Sequence, residues 1–221
     1  MIAEELINHM VPPLKLTDSA EKALAWMEEL RCNHLPVVEN GKFLGLISGD
    51  NILEGNNIDK QIATFELGGL DCFVNKEQYF YDVVKIASAN NVQIIAVVDD
   101  QDEYIGVITV QDTITSFAQT AAVQAPGAII VLSMEARDYS LSEISRLIEG
   151  ENAKILGSTI REDSQDPMKI KLTLKINKTD LSHVVATLER FDYKIIGRFQ
   201  EPKMIDNSQE RLDILMKYLS I

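Results

Sequence analysis

Several things are scarce in this chain of 221 residues, which holds only two cysteines, Cys32 and Cys72, and three histidines, His9, His34 and His183. The cysteines sit inside periodic segments without metal-ligand spacing, and no two histidines share such spacing. Neither a disulfide framework nor a structural metal is expected, and cysteine usage of this kind implies a reduced, cytoplasmic protein. No apolar run approaches the roughly 18 residues that span a bilayer. The N-terminal stretch MIAEELINHM is acidic where a signal peptide would be basic, so no membrane partner is expected. Positive charge is also scarce in the first half. Residues 1–125 carry 7 Lys and Arg against 19 Asp and Glu, whereas residues 126–221 carry 14 against 15. That balance excludes nucleic acid, whose affinity comes largely from neutralising phosphates with Lys and Arg. No Ser/His/Asp, Cys/His or paired-carboxylate arrangement stands out, so the chain is expected not to be an enzyme. The run Asp99-Asp100-Gln101-Asp102-Glu103 lacks the distal Glu of a calcium loop and falls where a hairpin turn is needed.

What is present is a globular composition, with 46% hydrophobic and 25% charged residues. The charge step implies two modules with a boundary near Gln124-Ala125-Pro126-Gly127. The first module repeats itself. Asp18 followed by Glu21 has the form of a capping box, and Ala20, Ala23, Leu24, Met27 and Leu30 share one helical face. A strand follows at Leu35-Pro36-Val37-Val38, then the turn Glu39-Asn40-Gly41-Lys42, where Asn-Gly between apolar runs signals a hairpin. A second strand ends at Ile47, and a helix begins near Gly49. The same order recurs with Phe80, Val83, Val84 and Ala87 on the helical face. Strands at Ile94–Val98 and Tyr104–Thr109 come next, and a helix begins at Val110. Val37 and Val38 match Val97 and Val98; Gly45 and Ile47 match Gly106 and Ile108.

Helix, "PVV"-like strand, hairpin and the motif GLISGDNIL or GVITVQDTI together resemble the CBS domain, which occurs as a tandem pair (a Bateman module). The resemblance covers roughly residues 1–120, with repeat one at about 1–60 and repeat two at about 61–125. It implies a regulatory protein that binds an adenosyl ligand: AMP, ADP, ATP or S-adenosylmethionine, with Mg²⁺ where a polyphosphate must enter so acidic a module. It also implies that Asp112 holds ribose and Thr109 faces phosphate. A carboxylate suits a ribose because it accepts from both hydroxyls with charge assistance. In the first repeat Ser48 takes the place of Thr109, and Asn51 stands where Asp is expected. An amide has a single acceptor oxygen, so one competent site at Asp112 and one degenerate site at Asn51 are expected. His34 lies where CBS proteins often carry a basic phosphate contact. Two structural alternatives stay open: Asp112 as no more than a helix cap, and His34 as a packing residue beside an apolar strand. The rival overall reading is an interaction module with vestigial sites.

The second module reads as βαββαβ. Ala128–Met134 forms a strand, and Ser140 with Glu143 caps a helix carrying Ile144, Leu147 and Ile148. Lys154–Glu162 and Met168–Ile176 form strands, the latter alternating strictly. Asp180 caps a helix with Leu181, Val184, Val185 and Leu188, and Lys194–Phe199 closes the set. The fold class is therefore α/β (α+β), a CBS pair followed by a ferredoxin-type domain over 126–201. This unit resembles the ACT domain, and the combination is similar to the acetoin-utilisation accessory proteins. The D-x-P-G of amino-acid-binding ACT domains is absent, since Arg137-Asp138-Tyr139-Ser140-Leu141 has neither Pro nor Gly. A dimerising or relay role is expected rather than ligand binding. Residues 202–221 are expected to form an amphipathic helix with Leu212, Leu215, Met216 and Leu219 on one face. The partners implied are a second copy of the chain, in a homodimer or larger assembly, and a regulated protein of unstated identity.

Overall fold

Ser19, not Asp18, caps the first helix: its side chain accepts from the backbone N–H of Lys22 at 3.2 Å. Asp18 instead accepts from the N–H of Lys15 and from Lys22 Nζ, both at 2.8 Å. The computed structural model describes residues 1–54 and 58–200. It divides into two units, Met1–Gln119 and Thr120–Ile221, so the residues from Thr120 to Ala125 group with the second module rather than the first. The helix expected at 202–221 lies outside the described residues.

In the first unit, α1 (Ala20–Leu30) leads to an antiparallel hairpin of β1 (His34–Glu39) and β2 (Lys42–Ser48), followed by the short α2 (Gly49–Glu54). Both residues of the hairpin turn, Asn40 and Gly41, have positive φ, at 50° and 78°, as the Asn-Gly pair demands. The second copy consists of β3 (Phe73–Asn75), α3 (Phe80–Asn90), β4 (Ile94–Val98), β5 (Tyr104–Thr109) and α4 (Val110–Ala118). β3 runs parallel to β4, which pairs antiparallel with β5. In the first copy Leu14 bridges Val37 in the parallel sense, doing with one residue what β3 does with three. Both hairpins shift register at the same place, between Val37 and Val38 and between Val97 and Val98. Both helices end on a left-handed residue, Arg31 at φ 53° and Asn91 at φ 52°. The repeat read from sequence is thus a repeat of backbone detail.

The cores follow the periodicities. Ala20, Ala23 and Met27 bury one face of α1 against Leu35, Val37 and Ile47. Phe80, Val83 and Ala87 do the same for α3, against Ile95, Val97 and Ile108. Val84, expected on that inner face, is instead 47% exposed. All five residues of β4 are buried, as befits a strand with neighbours on both edges.

The second unit begins with α5 (Ala121–Gln124) and continues through β6 (Ala128–Glu135), α6 (Leu141–Gly150), β7 (Ile155–Glu162), β8 (Lys169–Ile176), α7 (Ser182–Arg190) and β9 (Lys194–Gln200). The sheet order β7-β8-β6-β9 with every pairing antiparallel is the ferredoxin-type arrangement. On β8, Ile170, Leu172, Leu174 and Ile176 point inward and the residues between them do not. Ile144, Leu147 and Ile148 of α6 and Val184, Val185 and Leu188 of α7 close over that face. Each fully buried side chain of this kind contributes about 1.5–3 kcal/mol.

Candidate functional site

The two β-strand-to-helix junctions of the first unit line two clefts built to one plan. At the first, the Ser48 hydroxyl accepts from the N–H of Asn51 at 3.1 Å; at the second, the Thr109 hydroxyl accepts from the N–H of Asp112 at 3.0 Å. Behind them the N–H of Gly49 donates to the Asn33 carbonyl at 3.0 Å, and that of Val110 to the Gln93 carbonyl at 2.9 Å. An extended stretch passes each junction. Gly68 exchanges two backbone hydrogen bonds with Leu46, at 2.7 and 2.9 Å, and Asn8 donates to the Val107 carbonyl at 2.7 Å. Asn8 and Gly68, sixty positions apart, thus occupy equivalent places.

Close passage explains the glycine repeated in both motifs. A Cβ on Gly45, whose φ is +142°, would lie 2.8 Å from the Gly68 carbonyl oxygen. One on Gly106 would lie 2.5 Å from Cγ2 of Ile7.

The first cleft encloses about 400 Å³ and brings His34, Ser48 and Asn51 together with Glu66, Leu67, Gly68 and Asn90. Asn51 Nδ2 donates to the Glu66 carbonyl at 2.7 Å, which turns the amide so that Oδ1 remains as an acceptor. His34 is half-buried, and its Nδ1 has no hydrogen-bond partner among the described residues. Burial holds the imidazole below its ordinary pKa, and the carboxylate of Asp50 opposes that shift without reversing it. The sequence did not single out Glu66, Leu67, Gly68 or Asn90. Aligning the two repeats beyond their motifs would have placed Gly68 opposite Asn8.

The second cleft is smaller, about 300 Å³, and is lined by Thr109 with Arg31, Cys32, Gln93, Ile94 and Gln111. Asp112 is not among its walls. Its Oδ2 accepts from the Thr109 hydroxyl at 2.6 Å, the Thr109 N–H at 3.2 Å and Asn8 Nδ2 at 3.0 Å. Thr109 and Asp112 form a reciprocal capping box at the start of α4. The helix-capping alternative for Asp112 is therefore realised in the geometry. Ile94 stands where the first repeat has His34, so this cleft has no imidazole.

In the second unit, Arg137 and Asp138 fall in a 3-10 turn, Ala136–Asp138, and Ser140 caps α6 by accepting from the N–H of Glu143 at 3.4 Å. Arg137 pairs with Glu135 at 3.2 Å, so the turn is closed by its own side chains. Among the described residues no cluster of His, Cys, Asp or Glu has the geometry to hold a metal ion, and no helix is long and apolar enough to cross a membrane.

Comparison with known proteins places this geometry. The CBS domain model matches residues 3–55 and 71–118. The match falls on both repeats of the first unit, which has the fold of a CBS domain pair. An uncharacterised protein of Methanocaldococcus jannaschii is 39% identical over 79 residues, 35% of this chain and 26% of the relative, so the match spans about a quarter of that protein. A CBS domain pair/ACT domain protein of Thermotoga maritima is similar in structure with a TM-score of 0.49 and 17% identity, over 54% of this chain and 98% of that one. CBSX2 in complex with AMP gives a TM-score of 0.46 at 16% identity, over 53% of this chain and 96% of that one.

Proposed function

We propose that this chain is a non-catalytic regulator whose CBS pair takes an adenosyl ligand in the cleft of the first repeat. The observation that carries this reading is the cleft of about 400 Å³ lined by His34, Ser48 and Asn51, with open space in front of Gly68. Its volume lies within the roughly 300–1,000 Å³ typical of small-molecule sites. In this reading Asn51 Oδ1 accepts from a ribose hydroxyl, and His34 serves the phosphate end. Thr109 and Asp112 are the corresponding pair of the second repeat, committed to their cap. The acidic surroundings favour adenosine, AMP or cationic S-adenosylmethionine, while ADP and ATP would enter with Mg²⁺. AMP bound by CBSX2 agrees in ligand class.

The ferredoxin-type unit is assigned an ACT-like part in assembly and relay, as in the acetoin-utilisation accessory proteins that the domain order resembles. Ligand would shift the two CBS repeats, and the second unit would pass the change to the regulated protein. The missing glycine near Ser140 supports a unit without an amino-acid site, and a saturable calorimetric signal with any standard amino acid would contradict it. The chain is read as a cytoplasmic homodimer. Tyr81, Val84, Ile114 and Phe117 support this, for they leave an apolar face on α3 and α4 at 67, 47, 56 and 46% exposure. A second copy would cover such a face isologously.

A thermal-shift series with AMP, ADP, ATP and S-adenosylmethionine, with and without Mg²⁺, tests the reading. A saturable rise with at least one of them is expected, and none with any would overturn it. The competing view, an interaction module with vestigial sites, is favoured by the saturated Oδ2 of Asp112, and the same flat result would support it.

A further inference from the structure

We propose that Asn8 bars ligand from the second cleft, where the CBS resemblance implies a ribose, by tethering the carboxylate of Asp112. The proposal rests on the reading of the first cleft as an adenosyl site and extends it to the regulation of its counterpart. The two clefts share their backbone plan but differ at two linked positions. At the first, a Cβ on Gly68 would meet nothing within 4 Å, so the space in front of Asn51 stays open. At the second, Asn8 occupies the equivalent place, and its amide reaches Asp112 Oδ2 at 3.0 Å.

The hydrogen-bond accounting explains why the two differences go together. Asn51 has amide hydrogens and uses one on the Glu66 carbonyl. Asp112 Oδ2 only accepts, so it is tethered by a donor from outside, and Asn8 supplies it. Oδ2 then takes three donors, from Asn8 and from both groups of Thr109, which fills that oxygen. A diol that spans a carboxylate needs both oxygens, so it competes directly with Asn8. The cavities agree: the first extends from His34 past Asn51 to Gly69, whereas the second ends at Thr109.

Equilibrium dialysis with labelled adenosine reads the number of sites on the full chain. The wild type is expected to bind one adenosine per chain, Asn8→Gly two, and the double variant Asn8→Gly with Gly68→Asn one. Gly68→Asn alone copies the Asn8 contact onto the open cleft, and it should weaken binding about tenfold or more. Asn8→Ala, which keeps a side chain on the strand, should repeat the Asn8→Gly result and stands in for it should Asn8→Gly fail to fold. Two sites in the wild type would overturn the proposal, as would one site in the wild type and no more than one in either folded Asn8 variant. One site in the Asn8 variants with none in the wild type would support the proposal while sinking the first-cleft reading. No binding by any chain would overturn both.

Discussion

Asn51 and Asp112 hold equivalent places in the two repeats and use opposite hydrogen-bonding senses. Asn51 donates Nδ2 to the Glu66 carbonyl at 2.7 Å, whereas Asp112 accepts on Oδ2 from Asn8 at 3.0 Å. The asymmetry between GLISGDNIL and GVITVQDTI is thus matched by the asymmetry between Gly68 and Asn8.

Exchanging the two residues should not be symmetrical. Asn51→Asp sets a carboxylate oxygen against the Glu66 carbonyl oxygen at a solvent-exposed contact, and losing that hydrogen bond costs up to about 1.5 kcal/mol. Asp112→Asn keeps an oxygen for the donors of Asn8 and Thr109 and should cost under about 1 kcal/mol. Urea unfolding of both variants decides this, and an equal loss in the two would contradict the account.

The repeated glycine gives a second comparison. At Gly45 a Cβ would press on backbone, 2.8 Å from the Gly68 oxygen, in a conformation that L residues rarely adopt. At Gly106 it would press on Cγ2 of Ile7, a side chain rather than backbone, and no positive φ adds strain there. Gly45→Ala is expected to destabilise by about 1–3 kcal/mol and to narrow the first cleft. Gly106→Ala should cost less. Thermal unfolding of the pair checks the order.

Much of this architecture is legible in the sequence, because local chemistry repeats. Asn40-Gly41 fixes one hairpin, strict alternation along Lys169–Ile176 marks a half-buried strand, and the sixty-residue recurrence of apolar faces exposes the pair of CBS repeats. The misses have physical causes. Val84 fits the helical period of α3 but sits at the edge of its apolar face, and periodicity alone cannot separate core from exposed rim. Ser19 and Asp18 are both good caps, and only the backbone shows which one meets the free N–H groups. At the site, the motif residues Ser48, Asn51, Thr109 and Asp112 are readable, but what faces them is not. Asn8 lies 104 positions from Asp112 in a segment without periodicity, and Gly68 matters because it has no side chain.

His34 gives the pH dependence. Its imidazole titrates below the ordinary value in the folded protein because burial disfavours the charged form. As pH falls below about 6.5, the unfolded chain takes up this proton before the folded one, so stability declines toward acid. His34→Gln should flatten that part of the stability profile. A phosphate beside His34 favours the imidazolium, so AMP should gain on adenosine as pH falls from about 8 to about 6. A constant AMP-to-adenosine ratio over that range would remove His34 from the phosphate end.

Light scattering at low micromolar concentration and moderate salt should give about twice the 24.7 kDa chain mass, or a multiple of it. Repulsion between the acidic chains is screened beyond about 8 Å at physiological salt. Val84→Lys combined with Ile114→Lys should shift the assembly toward smaller species if the α3–α4 face carries it. A stable wild-type monomer would contradict the homodimer.

Calorimetric titration of AMP into wild type, Asn51→Ala and Asp112→Ala tests the central claim most directly. The account predicts that Asn51→Ala weakens binding about tenfold, the equivalent of about 1.4 kcal/mol, while Asp112→Ala stays within about twofold of wild type. Loss of binding in Asp112→Ala with Asn51→Ala unchanged would contradict it and return the ligand to the second repeat.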